Sequence, residues 1–520
     1  MSTSNCILWI DDEVEMLRPH ILFLENKGYA LHTVSNGQDA LDLIKSNPYD
    51  LIFLDDNMPG LRGIETLKLI KEINPTLPVV MITKSEEEDV MNKAIGSKIA
   101  DYLIKPVNPN QVLMSIKKVL HHRQIITEHF TADYREEFGK IAQQLNDARC
   151  IDDWYVLYRK MTDHNISLRD INDESVHEIL SYQHNEVNNE FCKFISRNYL
   201  RWFDRNSPND RPLMSHTLLR DKLFPMFAEG EKVAFMLVDN LRYDQWRAIM
   251  PIVQEYYRVE RDELYCTILP TATQYARNAI FAGLMPSEIE KLTPDYWLND
   301  EEDGGKNQFE EEFLRRQMQR YGVNATLYFR KMVGNNGGRQ MLSELHKLDS
   351  CNFAALIYNF VDELSHARTS SHIVRGLAED EAAYRSLTRS WFEHSDLLEL
   401  FKELSARRFK ILLSSDHGTV RVSNPVKIVG DRNTSTNLRY KTGKALSYEA
   451  KEVFEIVHPE DAFLPRTNLS SRYVFARNRD FFAYPNNYNA NVKYYRDTFQ
   501  HGGISMEEML VPMITMTPNV

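Results

Sequence analysis

The sequence predicts an α/β protein in which two regions of alternating strands and helices flank a purely helical one. Three observations carry that reading. Short apolar strands alternate with amphipathic helices from residue 5 to about 120, helical spacing alone occupies 121 to about 205, and alternation returns from about 216. The division is 1–121, a doubly wound parallel sheet; 122–205, a helical bundle acting as linker; and 206–520, a larger α/β domain. At 520 residues the chain exceeds what one hydrophobic core usually holds, and 43% hydrophobic with 26% charged residues is a soluble, globular composition.

In the first region the strands are "CILWI", "ALHTV", "LIFLD", "VVMIT" and "ADYLIKP", set apart by helical segments such as "GQDALDLIKSN" and "GIETLKLIKEI". The second region, with "EEFGKIAQQLN", "DDWYVLYRKMTDHN" and "SVHEILSYQHNEVNNEFCKFISRNYLRWF", repeats apolar residues at helical spacing and has few glycines or prolines. "DRNSPNDRPLMS" (204–215) marks a boundary. Beyond it, "KVAFMLVDN", "LYCTILPTAT", "ATLYFRK", "FAALIYNFVD" and "KILLSSDHG" are strand candidates, with helices "FEEEFLRRQMQRYG" and "LTRSWFEHSDLLELFKELSARR" between them.

Composition excludes several classes. A net charge of −12 argues against general duplex binding, which draws its affinity from basic surface. The five cysteines are scattered and contain no CxxC pair, the pattern of reduced thiols rather than of a disulfide framework or Cys-based zinc knuckle. No signal-like opening and no membrane-spanning apolar run occurs, so no membrane insertion and a cytoplasmic location are expected. The glycine-rich pieces match neither a Walker loop nor a GxGxxG turn.

Chemistry-bearing residues stand at strand ends in both α/β regions. Asp11 and Asp12 follow the first strand, Asp55 ends the third in "FLDDNMPG", Thr83 ends the fourth, and Lys105 follows the fifth. Open parallel sheets bind ligands at those ends, and clustered carboxylates suit Mg²⁺ shared with phosphate oxygens. Asp55 is the expected phosphoryl acceptor, with Asp56 the alternative. Asp12 is assigned to Mg²⁺, Asp11 to its support, and Lys105 and Thr83 to the incoming phosphoryl oxygens. Residues 5–120 resemble the receiver domain of two-component response regulators, which are flavodoxin-like. The resemblance implies a sensor histidine kinase as donor, and Tyr102 matches the family's switch aromatic.

In the large domain the strand ends deliver Asp239, Thr271 and Thr273, Asp362, and the pair Asp416 and His417. His366 follows Asp362 by one helical turn, and His501 stands in "FQHGG". This donor set suits two Zn²⁺ ions with a threonine hydroxyl between them, the arrangement that supports in-line phosphoryl displacement. The order resembles the PglZ branch of the alkaline phosphatase superfamily over about 216–520. The resemblance implies one zinc on Asp362, His366 and His501, the other on Asp239, Asp416 and His417, and a Ser or Thr nucleophile at a helix amino end. "T-A-T-Q" puts Thr271 at an N-cap with Gln274 in the capping-box position, which favours Thr271 as nucleophile and metal neighbour over Thr273.

Cys266 in "CTILP" departs from the C-x-P-x-R stretch of sulfatases, which leaves phosphate esters. Arg277 on the same helix and Arg421, Arg439 and Lys441 in the basic stretch after His417 are candidate substrate contacts for a cyclic or linear nucleotide or oligonucleotide, with Tyr440 or Tyr448 available to stack a base. The arrangement as a whole resembles response regulators linked to type 9 protein secretion in Bacteroidetes. That likeness implies a zinc phosphodiesterase effector, homodimerisation on phosphorylation, and a sigma factor and secretion-machinery proteins as partners. No DNA-reading module follows the receiver region. A zinc-stabilised, non-catalytic binding module and a phosphomonoesterase are the alternatives.

Overall fold

The computed structural model describes residues 5–75, 77–83, 99–116, 119, 139–167, 174–204, 211–227, 231–334, 337–359, 361–362, 380–430, 434–486 and 488–519. The chain divides into two compact units, residues 1–137 and 138–520.

The first unit holds five parallel strands: β1 (Cys6–Ile10), β2 (Ala30–Val34), β3 (Leu51–Asp55), β4 (Val79–Thr83) and β5 (Asp101–Ile104), in the order β2-β1-β3-β4-β5. This is the doubly wound order in which the carboxyl ends of β1 and β3 flank the switch point. β3 and β4 are buried along their whole length, as expected of strands covered on both faces. Helices α1 (Arg18–Glu25), α2 (Gly37–Ser46) and α3 (Gly63–Ile73) pack through apolar stripes, Leu67 and Ile70 of α3 among them. Gly63 starts α3 because a Cβ there would collide with the backbone of Asp55 and Asp56.

The second unit is built on a six-stranded sheet. Its labelled strands are β6 (Lys232–Val238), β7 (Tyr257–Cys266), β8 (Leu327–Met332), β9 (Phe353–Tyr358) and β10 (Phe409–Ser414). Neighbours β10, β6, β9 and β8 run parallel, and the C-terminal strand Leu510–Pro518 lies antiparallel between β10 and β7. Sequence reading omits that last strand; its two prolines at 512 and 518 argue against a central position.

The helices of the middle region, Ile151–Ser167 and Glu174–Asn198, share their core with this sheet: Trp154, Phe191 and Tyr199 belong to the same buried cluster as Phe235, Ile268 and Ile514. Tyr199 Oη accepts the Leu269 N–H at 2.7 Å, and Arg247 pairs with Asp163 at 2.7 Å. Over its described residues from 139 onward, the helical region shares one compact unit and one core with this sheet.

Candidate functional site

In the receiver unit Asp11 is fully buried, Asp55 is 2% exposed, and Asp12 is exposed at the rim. Ligand oxygens of all three lie within 4.8 Å of one another. Lys105 reaches across from the end of β5, its Nζ 2.9 Å from Asp11 Oδ2 and 3.2 Å from Asp55 Oδ1. Burial raises the Asp55 carboxyl; Lys105 opposes this, and Asp11 and Asp12 add repulsion. Burial works against the Lys105 ammonium, but its two carboxylate partners raise it overall. Three carboxylates against one ammonium leave a surplus of negative charge that fits a divalent cation. Thr83 is buried at the end of β4, with Ile104 as its register partner on β5, and Tyr102 is half-buried against the sheet's core.

The effector site follows from strand register. Ser414 pairs with Leu237 and Val238 with Tyr358, so Asp416, Asp239 and Asn359 come level just past the ends of the adjacent strands β10, β6 and β9. Asp239, Asp416 and His417, all buried, present ligand atoms within 4.8 Å of one another. Asp239 Oδ1 accepts no hydrogen bond and lies 3.9 Å from His417 Nε2; Asp416 Oδ2 is 4.0 Å from the same nitrogen. Nearby, Asp362 Oδ1 is 3.9 Å from His501 Nε2, and the rings of His417 and His501 stack with centroids 4.2 Å apart. His366 lies outside the described residues.

Both histidines are oriented from behind. His417 Nδ1 is 3.1 Å from the Gly418 carbonyl, and His501 Nδ1 is 3.1 Å from the Thr271 carbonyl. A carbonyl can only accept, so each Nδ1 carries a proton and each Nε2 is turned toward the carboxylates opposite, the orientation of a metal-ligating histidine. Buried carboxylates, one with an orphaned oxygen, facing imidazole nitrogens at separations too long for hydrogen bonds are donor sets that fit metal ions. Gly418 keeps the turn tight, because a Cβ there would collide with the Glu507 carbonyl.

The helix Thr273–Ala282 opens onto this cluster and closes at Gly283, whose φ of 60° provides its left-handed cap. Its N-cap is Ala272, in extended conformation, so the expectation that Thr271 caps the helix is corrected by one residue. Thr271 is fully buried; its hydroxyl donates to the Gly503 carbonyl at 2.9 Å and accepts the Gly502 N–H at 3.0 Å. Thr273, the first helical residue, instead places Oγ1 3.1 Å from His417 Nε2. Four residues on, Arg277 projects from the same helix face. It is fully buried and pairs through Nη2 with Asp239 and through Nε with Asp416 at 2.9 Å, while Nη1 meets Asn359 Oδ1 at 3.3 Å.

Burial raises Asp239, with Arg277 opposing and Asp416 and Asp362 reinforcing. Burial also works against Asp416, yet Arg277, His417 and backbone N–H groups hold its carboxyl below the usual range.

Arg277 is thus a counter-ion of the acidic cluster, which corrects its assignment as a substrate contact. Arg439 and Lys441 are corrected too, being fully buried. Arg439 pairs with Glu508, Nε at 3.0 Å and Nη2 at 2.5 Å, and Lys441 donates to the Ser435 carbonyl at 2.7 Å, where burial pushes its ammonium down to about 8. Tyr440 is buried with its hydroxyl on Asp300, and Tyr448 bonds Glu455, so neither offers a free ring and hydroxyl to a base. Arg421 pairs with Asp497 at 3.1 Å.

Sequence reading passes over Asn240. With φ 61° it turns the chain after β6, gives its N–H to Asp416 Oδ1 at 3.3 Å and its Nδ2 to Asp362 Oδ1 at 3.2 Å, and so links the two acidic groups. An Asn directly after a strand and an Asp is its only signal, since Asn tolerates the left-handed region better than most residues.

Comparison with known proteins places three family models along the chain. Residues 7–117 match the response regulator receiver domain, 124–203 the PorX response regulator linker domain, and 218–516 the BREX system PglZ alkaline phosphatase-like domain. Among curated proteins, the transcriptional regulatory protein SrrA of Staphylococcus aureus is 35% identical over 124 residues, 24% of this chain and 51% of that protein. The chain therefore spans about half the length of the curated relatives it matches. Among solved structures, chemotaxis protein CheY4 of Vibrio cholerae (24% identity, TM-score 0.22) covers 22% of this chain and 99% of its own. A two-component response regulator from Clostridium difficile (33% identity, TM-score 0.22) covers 23% and 97%. No helix among the described residues is long and apolar enough to cross a membrane. The three matches follow the PorX order, and as the PglZ match takes in more than half of its length, the chain belongs to the PglZ alkaline phosphatase-like family, here joined to a response-regulator receiver.

Proposed function

We propose that this response regulator accepts a phosphoryl group on Asp55 from a sensor histidine kinase, and that its effector is a zinc-dependent phosphodiesterase acting on nucleotide diesters. The observation that carries the reading is the convergence of Thr273 Oγ1 with His417 Nε2 beside Asp239 and Asp416, next to the pair Asp362 and His501. Asp239, Asp416 and His417 would hold one zinc, and Asp362 and His501 would contribute to the other. Zinc supplies Lewis-acid stabilisation of charge on the attacking and leaving oxygens.

The chain's own residues do the rest. Thr273 sits at the amino end of its helix, where free N–H groups and the peptide dipoles favour an alkoxide. Deprotonated Oγ1 attacks phosphorus, and the leaving group departs as an alkoxide with the electrons of the broken P–O bond and takes up the proton that Thr273 gave to solvent. Water then hydrolyses the threonyl phosphodiester to release a phosphate monoester and restore the Thr273 hydroxyl. Thr271 positions the site through its carbonyl on His501 and its hydroxyl on Gly502 and Gly503.

In the receiver, Asp11, Asp12 and Asp55 would hold Mg²⁺, Lys105 and Thr83 would meet the phosphoryl oxygens, and Tyr102 would follow the phosphorylation state. Phosphorylation drives homodimerisation, which changes effector activity. The PorX-type linker supports a role in type 9 protein secretion, in the cytoplasm, with a sigma factor and secretion-machinery proteins as partners.

One observation favours a second reading: Arg277 already pairs with both Asp239 and Asp416, as suits a metal-free binding module. Metal analysis of the purified protein, with hydrolysis of bis-p-nitrophenyl phosphate and p-nitrophenyl phosphate before and after chelation, separates the two. Bound zinc with chelator-sensitive cleavage of the diester is expected; a metal-free protein that cleaves neither ester overturns the enzymatic reading.

A further inference from the structure

The turn after β6 ties the two halves of the acidic cluster together. Asp239 gives its N–H to the Tyr358 carbonyl at 2.8 Å, Asn240 to Asp416 Oδ1 at 3.3 Å, and Leu241 to Ser415 Oγ at 2.9 Å. Successive backbone donors thus fasten this turn to the ends of β9 and β10.

The side chain of Asn240 leaves that fixed turn for the other half. It is fully buried, and its Nδ2 reaches Asp362 Oδ1 at 3.2 Å, the same oxygen that lies 3.9 Å from His501 Nε2. A carboxylate can only accept, so the amide nitrogen faces Asp362, and Asn240 Oδ1 is left buried with no hydrogen-bond partner. An unsatisfied buried carbonyl works against folding, and glycine adopts a φ of 61° without one. Local stability therefore does not call for asparagine at this position, whereas a donor to Asp362 does.

The two halves differ in how firmly they are held. Asp239, Asp416 and His417 are buried, but Asp362 and His501 are partly exposed. A carboxylate at such a position has several rotamers open to it, and a donor on a rigid turn selects one. Ligating carboxylates are commonly oriented by a hydrogen bond of this kind. We infer that Asn240 is a positioning residue, resting on the zinc reading above: it sets the Asp362 carboxylate for the second zinc from a turn anchored at the first.

The test is calorimetric zinc titration of the full-length, metal-free protein, with melting curves to establish that each variant folds. Asn240→Gly accepts the backbone conformation without strain and keeps the N–H on Asp416, but removes the donor to Asp362. Asn240→Ser also removes it while leaving less empty space. Ile249→Ala, a buried position on the helix Tyr243–Val253, controls for destabilisation.

The wild type is expected to bind two zinc ions. Both Asn240 variants should hold the first as the wild type does and the second about 10- to 100-fold more weakly, the usual loss when a metal ligand's hydrogen-bond partner is removed. Ile249→Ala should bind both normally, and on an Asp362→Ala background Asn240→Gly should weaken the remaining zinc no further. Wild-type affinity for both ions in the Asn240 variants, equal weakening of both, the same loss in Ile249→Ala, or a further loss on the Asp362→Ala background overturns the inference alone. A wild type that binds fewer than two zinc ions overturns the two-zinc reading and the inference with it.

Discussion

Thr273 Oγ1 and His417 Nε2 stand 3.1 Å apart, with the second nitrogen of His417 tied to its own turn at Gly418. The hydroxyl at the start of one helix is thereby brought to the end of β10, and the same helix face sends Arg277 into the carboxylates of β6 and β10 one turn later. The Thr273 hydroxyl and its neighbouring counter-ion share one rigid support.

Arg277 links stability to metal loading. Removing it leaves two buried carboxylates without their cation, a loss of about 3–5 kcal/mol where nothing else compensates. Arg277→Gln is expected to lower the melting temperature strongly in chelator and much less with zinc, which supplies positive charge to the same oxygens. Equal losses in both conditions would count against a metal at Asp239 and Asp416.

The helix Glu174–Asn198 grips the segment after His501. His184 pairs with Glu507 at 2.9 Å, and Asn188 bonds both Glu507 at 2.8 Å and the Met506 N–H at 3.0 Å. Burial alone would raise the Glu507 carboxyl, but His184 and Arg242 together hold it well below its ordinary range. A depressed carboxyl stabilises the fold above its unfolded value of 4.5 and loses that contribution as the pH falls below it. Stability of the wild type should therefore decline from about pH 4.5 downward more steeply than that of Glu507→Gln, which starts lower at neutral pH. Parallel curves from denaturant titrations at several pH values would contradict this.

For the receiver, incubation with acetyl phosphate and Mg²⁺ should leave a phosphoryl adduct on the wild type, detectable by intact-protein mass spectrometry, and none on Asp55→Asn. Asp56→Asn should remain competent, since Asp55 and not Asp56 faces Lys105. An adduct on Asp55→Asn would move the acceptor elsewhere.

How much of this is readable in the sequence differs by element. The parallel strands announce themselves as apolar runs ending in Asp or Thr, and strand ends converge in such sheets, so Asp11, Asp55, Asp239 and Asp416 are legible as clusters. The helix start is not. "TATQ" offers two hydroxyls one residue either side of the true N-cap, Ala272, and only backbone geometry shows that Thr271 turns to Gly502 and Gly503 while Thr273 turns to His417. Arg439 and Lys441 mislead for a different reason: a basic stretch usually reads as solvated, but here strand pairing with Arg472–Phe475 folds it inward onto Glu508 and Ser435. The C-terminal strand is hidden by Pro512, whose carbonyl nevertheless accepts from Ser414 Oγ.

The central claim, that Thr273 is the nucleophile of a metal-dependent phosphodiesterase, is tested most directly by comparing Thr273→Val and Thr271→Val in zinc content and in turnover of bis-p-nitrophenyl phosphate. The account predicts that Thr273→Val keeps its zinc and loses turnover by a factor on the order of 10² or more. Thr271→Val should remain active at low temperature while losing about 1–3 kcal/mol of stability, because it strands the buried Gly502 N–H. Full turnover by Thr273→Val, or complete loss confined to a folded, zinc-loaded Thr271→Val, would contradict it.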